Sequence, residues 1–414
     1  MTELDSIQWQ KLARLLKIVR NQNAFYQERI PEVSSLDEYR ERVPLLTKTA
    51  LSVDQATYPP YGRLLSYSFD QYTRFSQTSG TQGLPLRWLD TAESWEWMVH
   101  CWREVYRAAR VVGGETVLFA FSFGPFLGFW TSWDAALSMG CRCVPAGGLS
   151  SLARADLLTA SEAGILCCTP TYAIRLGEQL QAIEKTTSVR KLIVAGEPGG
   201  SLPEVRSRIE ALWPGARVYD HHGMTEIGPV TAPCPSGASD LRALEEDYLV
   251  EVLQPESHQP VAPGEVGELI LTNLGRAAMP LLRYRTGDLV KLLPRVEGAA
   301  DVRRFVGFEG GILARQDDMT VVRGVNLYPS SVDRVVRRFE AVEEYRVRLS
   351  GQRGMCEMAV EIELEPGADP SLADQLAQSL AAAFGLRIPV RTLEPNTLPR
   401  FEMKAKRWIR EENA

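Results

Sequence analysis

From residue 116 onward the chain alternates short apolar runs with stretches in which apolar residues recur three and four apart. The runs "TVLFAF", "CRCVPA", "GILCCTP", "KLIVAGE" and "ARVYDHHG" predict buried strands. Between the third and the fourth, Leu176, Leu180 and Ile183 fall on one helical face, and before the fifth Leu202, Val205, Ile209 and Leu212 do the same. This alternation predicts a layered α/β sheet. Ligands of such sheets collect at loops beyond the strand carboxyl ends, which is where "GEPGG" (196–200) and "HHGMTE" (221–226) fall. Taken singly, either stretch reads equally well as a connecting loop.

The flanks differ in pattern. The N-terminal "MTELDSIQWQKLARLLKIVRNQ" interleaves charge with apolar residues, which predicts an amphipathic helix and no signal peptide. Residues 116–133 are uncharged over nearly a membrane-spanning length, but Gly124, Pro125 and Gly128 interrupt them and Glu115 and Asp134 bracket them. A buried strand, a turn and a helix start account for that stretch better than a membrane span. Residues 264–293 read as β-rich with turns. Past residue 317 come a strand, turn and helix in "VVRGVNLYPSSVDRVVRRFE", and then "CEMAVEIELEP". There Met358, Val360, Ile362 and Leu364 alternate with Glu357, Ala359, Glu361 and Glu363, the period of a strand buried on one face. A helix ("SLADQLAQSLAAAFG") and a strand ("IPVRTLE") complete a small αβ unit. The expected fold class is α/β: a large layered N-terminal domain with a β-rich subdomain (1–316) and a small mobile αβ C-terminal domain (317–414), joined by a short hinge near Asp317.

Composition narrows the function. A chain of 414 residues is long for one domain. Its 45% hydrophobic and 24% charged residues are those of an ordinary globular protein, so no fibrous or disordered class is indicated. A formal charge of −6 leaves no basic excess to neutralise a nucleic-acid backbone. Of seven cysteines, Cys167 and Cys168 are adjacent within an apolar run, which suits buried thiols in a reducing cytoplasm better than a disulfide framework.

Candidate chemistry begins at "SQTSGTQGLPLRW" (76–88). Gly80 and Gly83 permit close backbone approach, and Thr78, Ser79 and Thr81 add hydroxyls, the ingredients of a phosphate cradle or of a plain polar turn. The stretch is not the P-loop of common NTPases, because no Lys-Ser or Lys-Thr follows in register.

In order along the chain, "TSGTQGLP", "GEPGG", "GMTE", "YRTGDL", "RQDDMTVVRGVNLYPSSV" and "LPRFEMKAKR" resemble the successive motifs of the adenylate-forming superfamily of acyl-CoA synthetases, most closely its phenylacetate-CoA ligase branch. The resemblance covers roughly residues 70 to 410. It implies a two-step ligase: a carboxylate attacks the α-phosphate of ATP to give an acyl-adenylate and pyrophosphate, and a thiol then displaces AMP. Such a site needs positive charge and oriented donors at the α-phosphate.

By resemblance, Thr78, Ser79, Gly80, Thr81 and Gly83 hold the β- and γ-phosphates, Thr225 bonds the α-phosphate and Glu226 holds Mg2+. From "GMTE" alone, Thr225 and Glu226 can equally begin a helix. Asp288 and Arg315 match the residues that reach the ribose hydroxyls, although Asp288 alone reads as a turn acid. Gly196, Glu197 and Pro198 run beside adenine with Gly223 and Met224, and His222 stands where the family usually has a base-stacking tyrosine. Lys404 falls at the adenylation lysine, with Lys406 as competitor in a basic tail. Phe121, Phe123 and Phe126, with Ala195 and His221, would line the acyl pocket, although phenylalanines at these spacings can be core. Asp317, Arg323, Gly324 and Tyr328 would serve as hinge and CoA tunnel, Gly324 being alternatively a turn glycine.

The chain also departs from the family. Leu84 replaces the usual phosphate-loop lysine. Of the zinc ligands carried by many branch members Cys234 remains, but Arg242 stands near the histidine position and "LPRVEGAADVRRF" has no cysteine, so no zinc is expected. The implied partners are ATP, Mg2+, CoA and an aryl acid, with no nucleic acid and no membrane. A carrier-protein or amine acceptor, a homodimer, and a degenerate nucleotide-binding relative remain as alternatives.

Overall fold

The five apolar runs form one parallel sheet in the order Arg142–Pro145, Thr116–Phe119, Ile165–Cys168, Lys191–Val194, Arg217–Asp220. A computed structural model of the chain describes residues 2–78, 85–235, 237–323, 325–352, 355–401 and 405–410, the side chains of 317, 326, 352, 355 and 356 excepted. Successive strand residues point to opposite faces. Leu118, Leu166, Cys168, Leu192, Val194 and Val218 pack against the helices Pro170–Ala182 and Pro203–Leu212. Val117, Phe119, Ile165, Cys167, Ile193 and Tyr219 pack against Ala92–Ala108 and Trp130–Ser138. Both faces are therefore covered, which is why these strands read as continuous apolar runs. Cys167 and Cys168 go to opposite faces, and burial raises both thiol pKa values.

Ile183 departs from its expected face. The helix ends at Ala182, Glu184 turns to φ +51°, and the Ile183 side chain is left exposed. The expected amphipathic N-terminal helix spans Glu3–Gln22, capped by Thr2, and buries Leu12, Leu15, Leu16 and Val19.

The β-rich region is a six-stranded antiparallel sheet in the order Thr231–Pro233, Asp240–Ala243, Gly307–Arg315, Tyr284–Leu293, Val266–Asn273, Tyr248–Leu253. At the place where the resemblance puts a zinc ligand, the Arg242 guanidinium donates to Asp240 Oδ2 at 2.8 Å and to the carbonyl oxygens of Pro294 and Phe305 at 3.0 and 3.2 Å. One side chain thus ties together three backbone segments. It lies flat on Gly307, where a Cβ would fall 2.8 Å from the guanidinium carbon. Among the described residues no group of three or more His, Cys, Asp or Glu is placed to hold a metal. Arg242→Ala strands the buried Asp240 carboxylate and is expected to cost about 3 kcal/mol in denaturant unfolding, whereas EDTA leaves the wild-type midpoint unchanged. A midpoint that falls with EDTA would show that metal shares this junction.

The C-terminal unit is a four-stranded sheet in the order Val390–Thr392, Met355–Leu364, Val342–Gln352, Trp408–Arg410, backed by Pro329–Val336 and Leu372–Phe384. Met358, Val360, Ile362 and Leu364 face its core as their alternation predicts. The opposite face is not simply solvated, because Glu361 and Glu363 are buried as well. Arg346 and Arg348 reach Glu361 at 2.8 and 2.6 Å, and Arg400, from the chain's return across that face, reaches Glu363 at 2.6 Å. The unit meets the body through Ser330 Oγ on the Leu313 carbonyl, Arg338 on Glu204 (3.3 Å) and Arg208 on the Val342 carbonyl (3.4 Å). Between the two lies a 3-10 turn at Gln316–Asp318.

Candidate active site

The loops that follow Lys191–Val194 and Arg217–Asp220 leave the same edge of the parallel sheet. Facing them are the antiparallel sheet, which carries Asp288 and Arg315, and the hairpin Tyr72–Gln77/Arg87–Thr91, which carries the Gly/Ser loop. These elements bound one crevice.

The segment after Asp220 forms no helix; Gly223–Met224 pairs with Gly228–Pro229 in a tight antiparallel turn, which overturns the helix-start alternative for Thr225 and Glu226. Thr231 pins the turn, its carbonyl facing His221 Nδ1 at 2.7 Å and its hydroxyl accepting the His222 N–H at 2.9 Å. Beneath it, Arg276 Nη1 donates to the carbonyl oxygens of Thr225 (2.7 Å) and Glu226 (3.1 Å). The same guanidinium grips Asp90 at 2.7 and 2.6 Å. Asp90 lies on the strand Arg87–Thr91, so one arginine joins the Gly/Ser-loop hairpin to the "GMTE" turn.

The Glu226 carboxylate is buried, and Lys48 Nζ sits 3.0 Å from its Oε1. Lys48 is the first residue of the helix Lys48–Thr57, which Thr47 caps, outside every motif that the sequence singled out. Asp288, paired in register with Arg315, is buried; Arg315 Nη1 lies 3.9 Å and His222 Nε2 3.2 Å from its carboxylate. The His222 imidazole thus stands beside the acid assigned to the ribose. Thr78 stands at the neck of the loop, its N–H donating to the Leu86 carbonyl (2.9 Å) and its hydroxyl accepting from the Leu86 N–H (3.0 Å). Ser79, Gly80, Thr81, Gly83 and Leu84 lie outside the described residues, as do Gly324, Lys404 and the side chain of Asp317.

Gly196, Glu197 and Pro198 form the turn after Lys191–Val194. Glu197 accepts from the Thr171 N–H with Oε1 (2.8 Å) and from the Ala405 N–H with Oε2 (3.5 Å), so the C-terminal tail reaches this edge of the crevice. Farther out, Arg323 pairs with Glu357, and Tyr328 caps the helix Pro329–Val336, half-buried.

Behind the "HHG" turn stands an aromatic wall. Phe121 stacks on Phe129 at 3.7 Å, Phe129 meets Trp102 at 5.9 Å, and Trp102 lies over His221 at 4.2 Å. Phe123 packs on Phe121, Trp130 and Trp133; Phe126 is half-buried at the loop's edge, and Ala195 joins the same apolar cluster. Local sequence had no signal for Lys48, Arg276, Asp90 or Trp102, since none sits in a spacing that marks chemistry.

Comparison with known proteins agrees with this architecture. Residues 75–278 match the AMP-binding enzyme family and residues 324–411 the AMP-binding enzyme C-terminal domain. The phenylacetate-coenzyme A ligase of Thermus thermophilus is 29% identical over 434 residues (97% of this chain, 94% of the relative), and that of Pseudomonas putida 28% over 363 residues (84% and 80%). Among solved structures, a 2-hydroxyisobutyryl-CoA ligase in its postadenylation state superimposes with a TM-score of 0.90 at 24% identity, covering 98% of this chain and 89% of that one. The same ligase in its thioesterification state, with CoA, gives 0.72. With both the main and the C-terminal model matched, the chain belongs to the AMP-binding enzymes, and over most of its length it is similar to phenylacetate-coenzyme A ligases.

Proposed function

We propose that this protein uses ATP to convert an aryl carboxylic acid to its acyl-adenylate, releasing pyrophosphate, and then transfers the acyl group to CoA. The observation that carries the reading is the crevice itself, in which the "GMTE" turn, the Asp288–Arg315 pair and the Gly/Ser-loop hairpin converge beside an aromatic wall. Asp288 and Arg315 would hold the ribose and the Thr225 hydroxyl the α-phosphate, while the carboxylate oxygen attacks phosphorus and the bond to the bridging oxygen breaks. The substrate class draws on the relatives named for phenylacetate and on the aromatic cluster that packs behind the "HHG" turn, whose composition suits an aryl ring. The test is pyrophosphate exchange over matched aryl and aliphatic acids, followed by thioester formation with CoA or with a phosphopantetheine carrier. Exchange with aliphatic acids alone removes the aryl assignment, and transfer only to a carrier removes CoA.

Glu226 is suited to Mg2+: it is a buried hard-oxygen ligand already facing a cation, with Lys48 standing in that place. Bound there, Mg2+ would neutralise phosphate charge. Lys48 would supply, from an N-terminal helix, the positive charge that the loop lacks at Leu84. Lys48→Met is therefore expected to lower kcat/KM for ATP in pyrophosphate exchange about tenfold, roughly 1.4 kcal/mol, with the KM for the acid unchanged. An unchanged value for ATP would assign Lys48 to structure only.

Domain alternation would then exchange the tail that carries Lys404 for the segment 321–328. The Glu197–Ala405 contact supports the present arrangement as the one used for adenylation.

A further inference from the structure

We propose that His221 is a hydrogen-bond acceptor built into the acyl pocket, and that the preferred acid carries a hydroxyl or amino group that His221 Nε2 receives. This rests on the proposed assignment of the aromatic wall to the acyl group. His221 is only 5% exposed. Its Nδ1 lies 2.7 Å from the Thr231 carbonyl oxygen, which can only accept, so the ring proton is on Nδ1. Burial pushes the imidazole pKa down to about 3, and the ring is neutral at physiological pH. Nε2 is therefore a lone pair with no proton of its own.

Among the described residues nothing donates a hydrogen bond to that nitrogen. It lies against Gly223, where a Cβ would fall 3.2 Å from Nε2 and 2.9 Å from the Gly228 carbonyl oxygen, so only a glycine fits beside the ring there. The ring's face is covered by Trp102, and beyond it come Phe129 and Phe121. A single acceptor is thus set in an otherwise apolar wall. An acceptor on a buried ring that no protein group meets leaves a place for a substrate donor, and a site made to meet a substrate hydroxyl or amine discriminates against the analogue that lacks it.

The test compares acids that differ only by hydroxyl, amino or methyl at each ring position. In the wild type, one position should favour hydroxyl or amino over methyl by about tenfold or more in kcat/KM for pyrophosphate exchange. His221→Phe should erase or reverse that preference, read as the ratio of kcat/KM for the hydroxyl or amino acid to that for the methyl acid within the variant. A preference that survives His221→Phe, or no donor preference at any position, overturns the proposal. Because His221→Phe also removes the donor to Thr231 and can unfold the turn, histidine-labelled wild-type protein gives an independent reading. The 15N resonance of His221 Nε2 should move on binding the hydroxyl or amino acid and stay in place with the methyl analogue; equal response to both overturns the proposal. If no acid supports exchange, the ligase reading fails, while the resonance still reports whether His221 receives a donor.

Discussion

Arg276→Met is expected to cost the fold about 3–5 kcal/mol and to abolish pyrophosphate exchange. Arg276 and Asp90 have fully buried side chains, and the pair is bidentate. Removing the cation leaves a carboxylate in the core with nothing to neutralise it, which is the most expensive way to break such a pair. Stability and activity then separate in a double variant. Asp90→Leu together with Arg276→Met removes both charges and should recover most of the lost unfolding free energy. It should not recover exchange, because the bonds from Arg276 to the Thr225 and Glu226 carbonyls, which set the "GMTE" turn against the Gly/Ser-loop hairpin, are still missing. Denaturant unfolding and exchange measured on the same preparations check both statements; a double variant with wild-type exchange would mean that the arginine serves stability alone.

The second large effect is expected at the C-terminal tail. Lys404→Ala should lower adenylation by two to three orders of magnitude, about 2.7–4 kcal/mol, and spare thioester formation from a supplied acyl-adenylate. The assignment comes from the position of Lys404 in "FEMKAKR". It is supported by the adjoining residue, Ala405, whose N–H reaches Glu197 at the edge of the crevice. Lys406 is exposed, and Lys406→Ala should stay near wild type. Equal loss in both half-reactions of Lys404→Ala would point to misfolding or to a wrong register, and a large loss in Lys406→Ala would transfer the role.

Sequence alone determined the elements whose burial repeats with a simple period. The five apolar runs became the parallel sheet because strands covered on both faces need no polar alternation. The order of the motifs determined the family: each one singly reads as a turn or a loop, but their succession along the chain is legible without any tertiary contact. The strand Val342–Gln352 was not legible at its start, where a bulge between Val342 and Glu344 breaks the alternation that Tyr345, Val347 and Leu349 then keep against the half-buried Arg346 and Arg348. Tertiary structure likewise decided that the "GMTE" stretch is a paired turn and not a helix start, through the grip of Thr231 and Arg276 on its backbone. It joined Arg276 to Asp90 across 186 positions and brought Lys48 to Glu226 from the far end of the chain. Charge pairing and hydrogen bonding act over a few ångströms in space and carry no periodicity along the chain, so these partners existed only once the sheets had packed.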